Sequence, residues 1–171
     1  NSGVTVLGIG DTPYFELPEK LTNALTEYYW VASLEDYDQV FRAVAFLSFK
    51  HGRIDWLESN NEYWLPLDAR LRTDFNITTG YQVDLLAPIR SKAVMKKVFQ
   101  AAGIPTAEQI MVTDPEVAVE FADKVGYPVI VKPEYGMGAI NTFKLNSADE
   151  VRDYAANRPA EPMVMEQFIP G

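Results

Sequence analysis

The spacing of hydrophobic and polar positions along the 171-residue chain changes period several times, and each change marks an element. Val4-Thr5-Val6-Leu7-Gly8-Ile9-Gly10 alternates and then breaks at glycine, which predicts a first strand entering a loop. Leu17, Leu21, Ala24 and Leu25 fall at helical spacing and predict a helix over 17–28, followed by a short strand at Tyr29–Ala32. Val40, Phe41, Val44, Ala45 and Leu47 form the apolar stripe of a helix over 36–50, closed by Gly52. Arg53-Ile54-Asp55-Trp56-Leu57-Glu58 predicts a third strand, and Leu65–Phe75 a helix with Pro66 tolerated in its first turn. Strands alternating with helices over short connections predict a parallel sheet with helices on its faces, joined by right-handed crossovers.

The second half has a different rhythm. Residues 78–89 read as a connector with room for a short helix ending before Pro88, and Ser91–Ala102 as a helix ended by Gly103 and Pro105. Glu108–Val112 is a predicted strand. Asp114-Pro115 then supplies an N-cap and a proline at the first helical position, opening a helix that Gly126 stops. Pro128–Lys132 and Ile140–Leu145 are strands on either side of a glycine-bearing loop, Ser147-x-x-Glu150 is a capping box, and Met163–Glu166 is a last strand. The expected fold class is α/β: a Rossmann-like parallel-sheet domain over 1–88, then a small α+β lobe over 89–171 that continues beyond this chain.

With 47% hydrophobic and 12% aromatic residues, the chain can bury a core. Its net charge of −9 argues against a nucleic-acid or anionic-membrane surface, which needs clustered Lys and Arg, but leaves room for a local basic pocket. The absence of cysteine excludes disulfides, thiolate metal sites and a cysteine nucleophile, and the lone His51 reads as a cation at a helix end. No apolar run approaches the ~18 residues of a membrane span, and no basic segment precedes an apolar one, so a cytoplasmic location is expected. A start at Asn1-Ser2-Gly3 and an end at the turn pair Pro170-Gly171 lead us to expect a fragment.

Three features carry candidate chemistry. Lys92 sits in the first turn of a predicted helix, where the dipole disfavours a cation by roughly 0.3–1 kcal/mol; a bound anion and simple solvation both account for it. Lys96 and Lys97 read as helix-surface charges. Lys132 ends the apolar run Val129-Ile130-Val131 on the same strand face as Ile130, and a lysine so placed needs an anion, either a phosphate or a neighbouring Glu. The loop Glu134-Tyr135-Gly136-Met137-Gly138-Ala139 follows, with glycines that suit either a hairpin or backbone approach to phosphate. Finally Met165-Glu166-Gln167-Phe168-Ile169-Pro170-Gly171 leads a strand into a turn, which can be an ordinary strand end or a purine edge site. Gly8-Ile9-Gly10-Asp11 lacks the third glycine of a dinucleotide fingerprint, since position 13 is Pro13, and reads as a turn. Glu58, Asn61 and Glu62 follow the predicted third strand and are either substrate contacts or loop polarity.

Lys92 in a helix, then V-I-V-K-P-x-x-G-x-G, then E-Q-F-I-P-G, resembles the ATP-grasp superfamily over residues 87–171. The preceding α/β segment, 1–88, resembles that family's pre-ATP-grasp domain. The resemblance implies that Lys92 and Lys132 contact ATP phosphates and that Tyr135, Gly136, Met137 and Gly138 close over them. It also implies that Glu166, Gln167, Phe168 and Ile169 border adenine, through the Gln167 carbonyl and the Ile169 amide. The implied chemistry is ligation: Mg-ATP phosphorylates a substrate carboxylate, and an amine attacks the acylphosphate. Magnesium ligands are expected downstream, so the fragment should bind ATP weakly without turnover. A biotin-carboxylase-like portion and a non-catalytic nucleotide-binding or assembly module stay open as alternatives, and a homodimer stays open as the assembly.

Overall fold

A computed structural model describes residues 3–136 and 138–170. The chain divides into two compact units, Asn1–Gln82 and Val83–Gly171.

In the first unit β1 (Leu7–Gly10) pairs in parallel with β2 (Glu27–Trp30), with Leu7 opposite Glu27 and Gly10 opposite Trp30. Parallel pairing is what the alternation of elements predicts. Gly8 and Gly10 make room for Tyr28: a Cβ on Gly10 would collide with the Tyr28 hydroxyl, which donates to Thr12 O at 2.7 Å. The glycine pair therefore serves strand packing. The predicted helix over 17–28 shrinks to α1 (Glu19–Thr22), because Pro18 sits immediately ahead of it in an extended conformation and Asn23 follows as its cap.

α2 (Tyr37–His51) forms as expected. The Asp36 side chain accepts from the amides of Asp38 and Gln39 at 3.0 and 3.3 Å, and Gly52 leaves the helix at φ +87°. Val40 and Val44 of α2 pack with Leu71 of α3 (Leu65–Asp74), and Ile9, Leu57 and Phe75 surround them. His51 ends α2 with its Nε2 2.5 Å from Glu27 Oε2, while Lys50 Nζ lies 2.8 Å from Oε1. These hydrogen bonds, that of Lys50 first, hold the Glu27 carboxyl below the usual carboxylate range.

The predicted strand at Arg53–Glu58 does not form. Its backbone acceptors are taken by side chains instead of a ladder. Leu57 O accepts from Arg72 Nε at 2.9 Å and Nη2 at 2.6 Å, and Asp55 O accepts from the Thr79 hydroxyl. Arg72 is 2% exposed and also donates to Tyr81 O at 3.0 Å and Glu58 Oε2 at 2.9 Å.

The second unit opens with α4 (Ala87–Arg90), which holds Pro88 in its first turn instead of ending before it. α5 (Lys92–Ala101) follows, capped by Ser91. Four antiparallel strands form one sheet in the order β3 (Gln109–Met111), β6 (Met163–Gln167), β4 (Val129–Pro133), β5 (Phe143–Leu145). The last of these is shorter than the predicted Ile140–Leu145, because Ala139 and Asn141 adopt φ of +57° and +55°, which a ladder cannot hold. Both remaining helices are capped as the sequence predicts. For α6 (Pro115–Val125), Asp114 accepts from the Glu116 amide at 2.9 Å; for α7 (Ala148–Ala156), Ser147 accepts from the Glu150 amide at 3.3 Å.

The period of two sorts the sheet residues. Val129, Val131, Met163 and Met165 enter the core with Ala118, Ala122, Val151 and Ala155 of α6 and α7. Each of those fully buried strand side chains contributes about 1.5–3 kcal/mol. Ile130, Lys132, Val164 and Glu166 consequently turn to the opposite face. No helix among the described residues is long and apolar enough to cross a membrane.

Candidate functional site

The opposite sheet face borders a cavity of about 590 Å³. α5 presents Lys92, Met95, Lys96 and Phe99 to it, positions i, i+3, i+4 and i+7 of one helix face. Ile104, Pro105, Thr106 and Ala107 line it after the helix ends, while Lys132 of β4 and Glu166 of β6 line it from the sheet. Three ammonium groups and one carboxylate thus meet in a cavity whose remaining walls are largely apolar.

The register places the charges. Ile130 stands opposite Glu166 and Lys132 opposite Val164, so Lys132 and Glu166 are diagonal neighbours on one face. Lys132 Nζ lies 2.7 Å from Glu166 Oε2. Lys96 Nζ lies 3.1 Å from Oε1, an ion-pair distance without hydrogen-bond alignment at that oxygen, and donates to Ala107 O at 3.0 Å. Glu166 is 8% exposed, so these two cations supply the compensation that a buried carboxylate requires.

Lys92 reaches the glycine loop. Its ammonium donates to Gly136 O at 2.9 Å and lies 3.4 Å from Glu134 O, and its amide donates to Glu134 O at 3.2 Å. Ser91 locks that junction from a fully buried position: its hydroxyl accepts from the Val94 amide at 3.1 Å and donates to Glu134 Oε1 at 2.5 Å. The loop turns through left-handed backbone at Gly136 (φ +112°) and Gly138 (φ +73°), conformations that glycine holds without strain.

Among the residues that the sequence singles out, the cavity unites Lys92, Lys132 and Glu166, with Gly136 hydrogen-bonded to Lys92. Tyr135 stays at the loop, with Arg90 Cζ 5.7 Å from its ring centroid. Met137 lies outside the described residues. Gln167, Phe168 and Ile169 are not among the lining residues: the Gln167 amide donates to Glu108 O at 3.0 Å, Lys144 Nζ lies 4.7 Å from the Phe168 ring centroid, and Ile169 is exposed. Glu58, Asn61 and Glu62 belong to the first unit. Glu58 pairs with Arg72, Asn61 accepts from the Tyr63 amide at 3.0 Å, and Glu62 begins a single 3-10 turn. Lys96 is the charged lining residue that the sequence alone reads as a surface charge. Its spacing of four from Lys92 puts both on one helix face, a signal that could have found it.

Residues 91–166 match the family model of the carbamoyl-phosphate synthase L chain ATP-binding domain. An L-arginine-specific L-amino acid ligase of Bacillus subtilis is 32% identical over 115 residues, covering 67% of this chain and 27% of the relative. The C-terminal section of the carbamoyl phosphate synthase large chain of Methanopyrus kandleri is 35% identical over 96 residues, covering 54% of this chain and 18% of the relative. Among solved structures, the biotin carboxylase domain dimer of Hydrogenobacter thermophilus 2-oxoglutarate carboxylase, in complex with MgADP, ADP and bicarbonate, superposes with a TM-score of 0.75. It is 22% identical, and the match covers 98% of this chain and 39% of that one. The chain therefore has an ATP-grasp fold. It is similar in sequence to these two curated relatives, and it spans about a quarter or less of their length.

Proposed function

We propose that this chain supplies part of the ATP cleft of a carboxylate–amine ligase working through an acylphosphate. The supporting observation is that Lys92 and Lys132, 40 positions apart in sequence, line one cavity together with Glu166. In such a cleft the protein's task is to position the triphosphate and to neutralise its charge. Lys92 and Lys132 are the ammonium groups for this, each charge-assisted contact being worth about 1.5–3 kcal/mol. The Tyr135–Gly138 loop, tethered to Lys92 through Gly136, is the element to fold over the phosphates. Glu166–Ile169 is the segment to border adenine. Phosphorylation makes the carboxylate an electrophile, which an amine then attacks.

The same reading takes 1–88 as a pre-ATP-grasp domain and 89–171 as the start of the ATP-grasp domain. It includes a cytoplasmic location and a homodimer, the latter testable by light scattering. Magnesium enters as the companion of ATP. Glu166 faces two lysines and is not assigned to it.

Calorimetry with Mg-ATP tests the cleft. Lys132→Ala should weaken binding at least tenfold, the equivalent of about 1.4 kcal/mol; equal affinities remove Lys132 from the site. Screening carboxylate and amine pairs for ADP release by the longer protein identifies the acceptor. Turnover by residues 1–171 alone contradicts the assignment of an incomplete cleft.

A further inference from the structure

We propose that Lys96 is a positioning residue of the cleft, holding Glu166 so that Lys132 stays available to a polyphosphate. This rests on the ATP-cleft reading above. The two oxygens of Glu166 face different ammonium groups, Oε2 toward Lys132 at 2.7 Å and Oε1 toward Lys96 at 3.1 Å. The two lysines are not equivalent. Lys96 is tied down a second time through Ala107 O at 3.0 Å, and its side chain is 15% exposed against 27% for Lys132. Lys96 is the fixed end of the triad and Lys132 the open end.

A phosphate entering this cavity competes with Glu166 for Lys132. With Lys132 as its sole partner, the carboxylate would be left buried and uncompensated whenever Lys132 turned to the anion, an arrangement that is strongly disfavoured. Lys96 removes that obstacle, because it keeps a counter-charge on Glu166 in both arrangements. Lys92, one helical turn earlier on the same face of α5, brings the other ammonium group into the cavity.

A double-mutant cycle separates this role from direct phosphate contact. Affinities for Mg-ATP and for inorganic tripolyphosphate are measured on the chain as wild type, Lys96→Met, Glu166→Gln and the double variant. Lys96→Met should weaken both ligands by roughly tenfold, the effect of one diverted charge-assisted contact. The same substitution in the Glu166→Gln background should change affinity less than about twofold, because no carboxylate remains to capture Lys132. Lys96→Arg should restore most of the loss. Equal losses in both backgrounds assign Lys96 to the phosphate itself and overturn the proposal, as does no loss in either. If Lys96→Met fails to fold by circular dichroism, Lys96→Gln takes its place in the cycle with the same expectations. Lys132→Ala in parallel distinguishes the two levels. Unchanged affinity there overturns the cleft reading and this inference together, whereas a large loss there with an additive Lys96 effect overturns the inference alone.

Discussion

Ser91→Ala probes how the first cavity lysine is set in place. Ser91 is fully buried and performs two tasks with one hydroxyl: it caps α5 through the Val94 amide and donates to Glu134 at the root of the glycine loop. Losing the cap costs about 0.5–2 kcal/mol, and losing a hydrogen bond to a carboxylate about 1.5–3 kcal/mol. Alanine fits the space, so no clash adds to this. Because both losses arise from one oxygen, we expect a total of about 2–4 kcal/mol, not the full sum of the upper limits. Hydrogen exchange read by mass spectrometry is the suitable assay, since it isolates the peptide spanning α5. A loss of about 2 kcal/mol accelerates exchange there by roughly thirtyfold. With a urea m-value of about 1.5 kcal/mol/M, the transition seen by far-UV circular dichroism should also fall by roughly 1.3–2.7 M. Acceleration below about threefold with an unmoved transition would show that the hydroxyl holds neither the helix start nor the loop.

Two further outcomes concern the first unit. Arg72→Met keeps the aliphatic stem but strips the guanidinium from Leu57 O, Tyr81 O and Glu58, and should destabilise by about 3–5 kcal/mol. All three tryptophans, Trp30, Trp56 and Trp64, lie in this unit, so their fluorescence during urea unfolding reads it, and an unchanged midpoint rejects this role of Arg72. Glu27 has a folded-state pKa below its ordinary 4.5, so its hydrogen bonds with Lys50 and His51 stabilise above that value and are lost as pH falls below it. Glu27→Gln should flatten the acid limb of the Trp-monitored stability profile below pH about 4.5, and an unaltered limb contradicts the assignment.

Sequence and structure agree best where local chemistry is self-sufficient. Asp36, Asp114 and Ser147 cap the helices that their positions in the sequence predict, because a side-chain acceptor two or three residues ahead of an amide needs no tertiary help. The face of Lys132 is equally legible, since Val129 and Val131 can enter the core only by turning Ile130 and Lys132 away. Arg53–Glu58 misleads for the opposite reason. Its alternation is that of a strand, but whether its carbonyls meet a neighbouring strand or a buried Arg72 is decided 14 or more residues away. Lys96 looks like a surface charge in sequence because burial depends on what packs against a helix, and only the fold sets Ala107 and Glu166 beside it. Gln167 is tied through its amide to Glu108 O, a cross-sheet hydrogen bond that no local pattern announces.

If Lys92 and Lys132 converge on one triphosphate, lysine footprinting will read both from a single titration. The chain is acetylated briefly across a series of Mg-ATP concentrations, and each site is quantified by mass spectrometry, with the exposed Lys124 as reference. Lys92 and Lys132 should become protected along a single curve with one midpoint, while Lys124 does not respond. Protection of only one of them, or two curves with unrelated midpoints, contradicts a shared site.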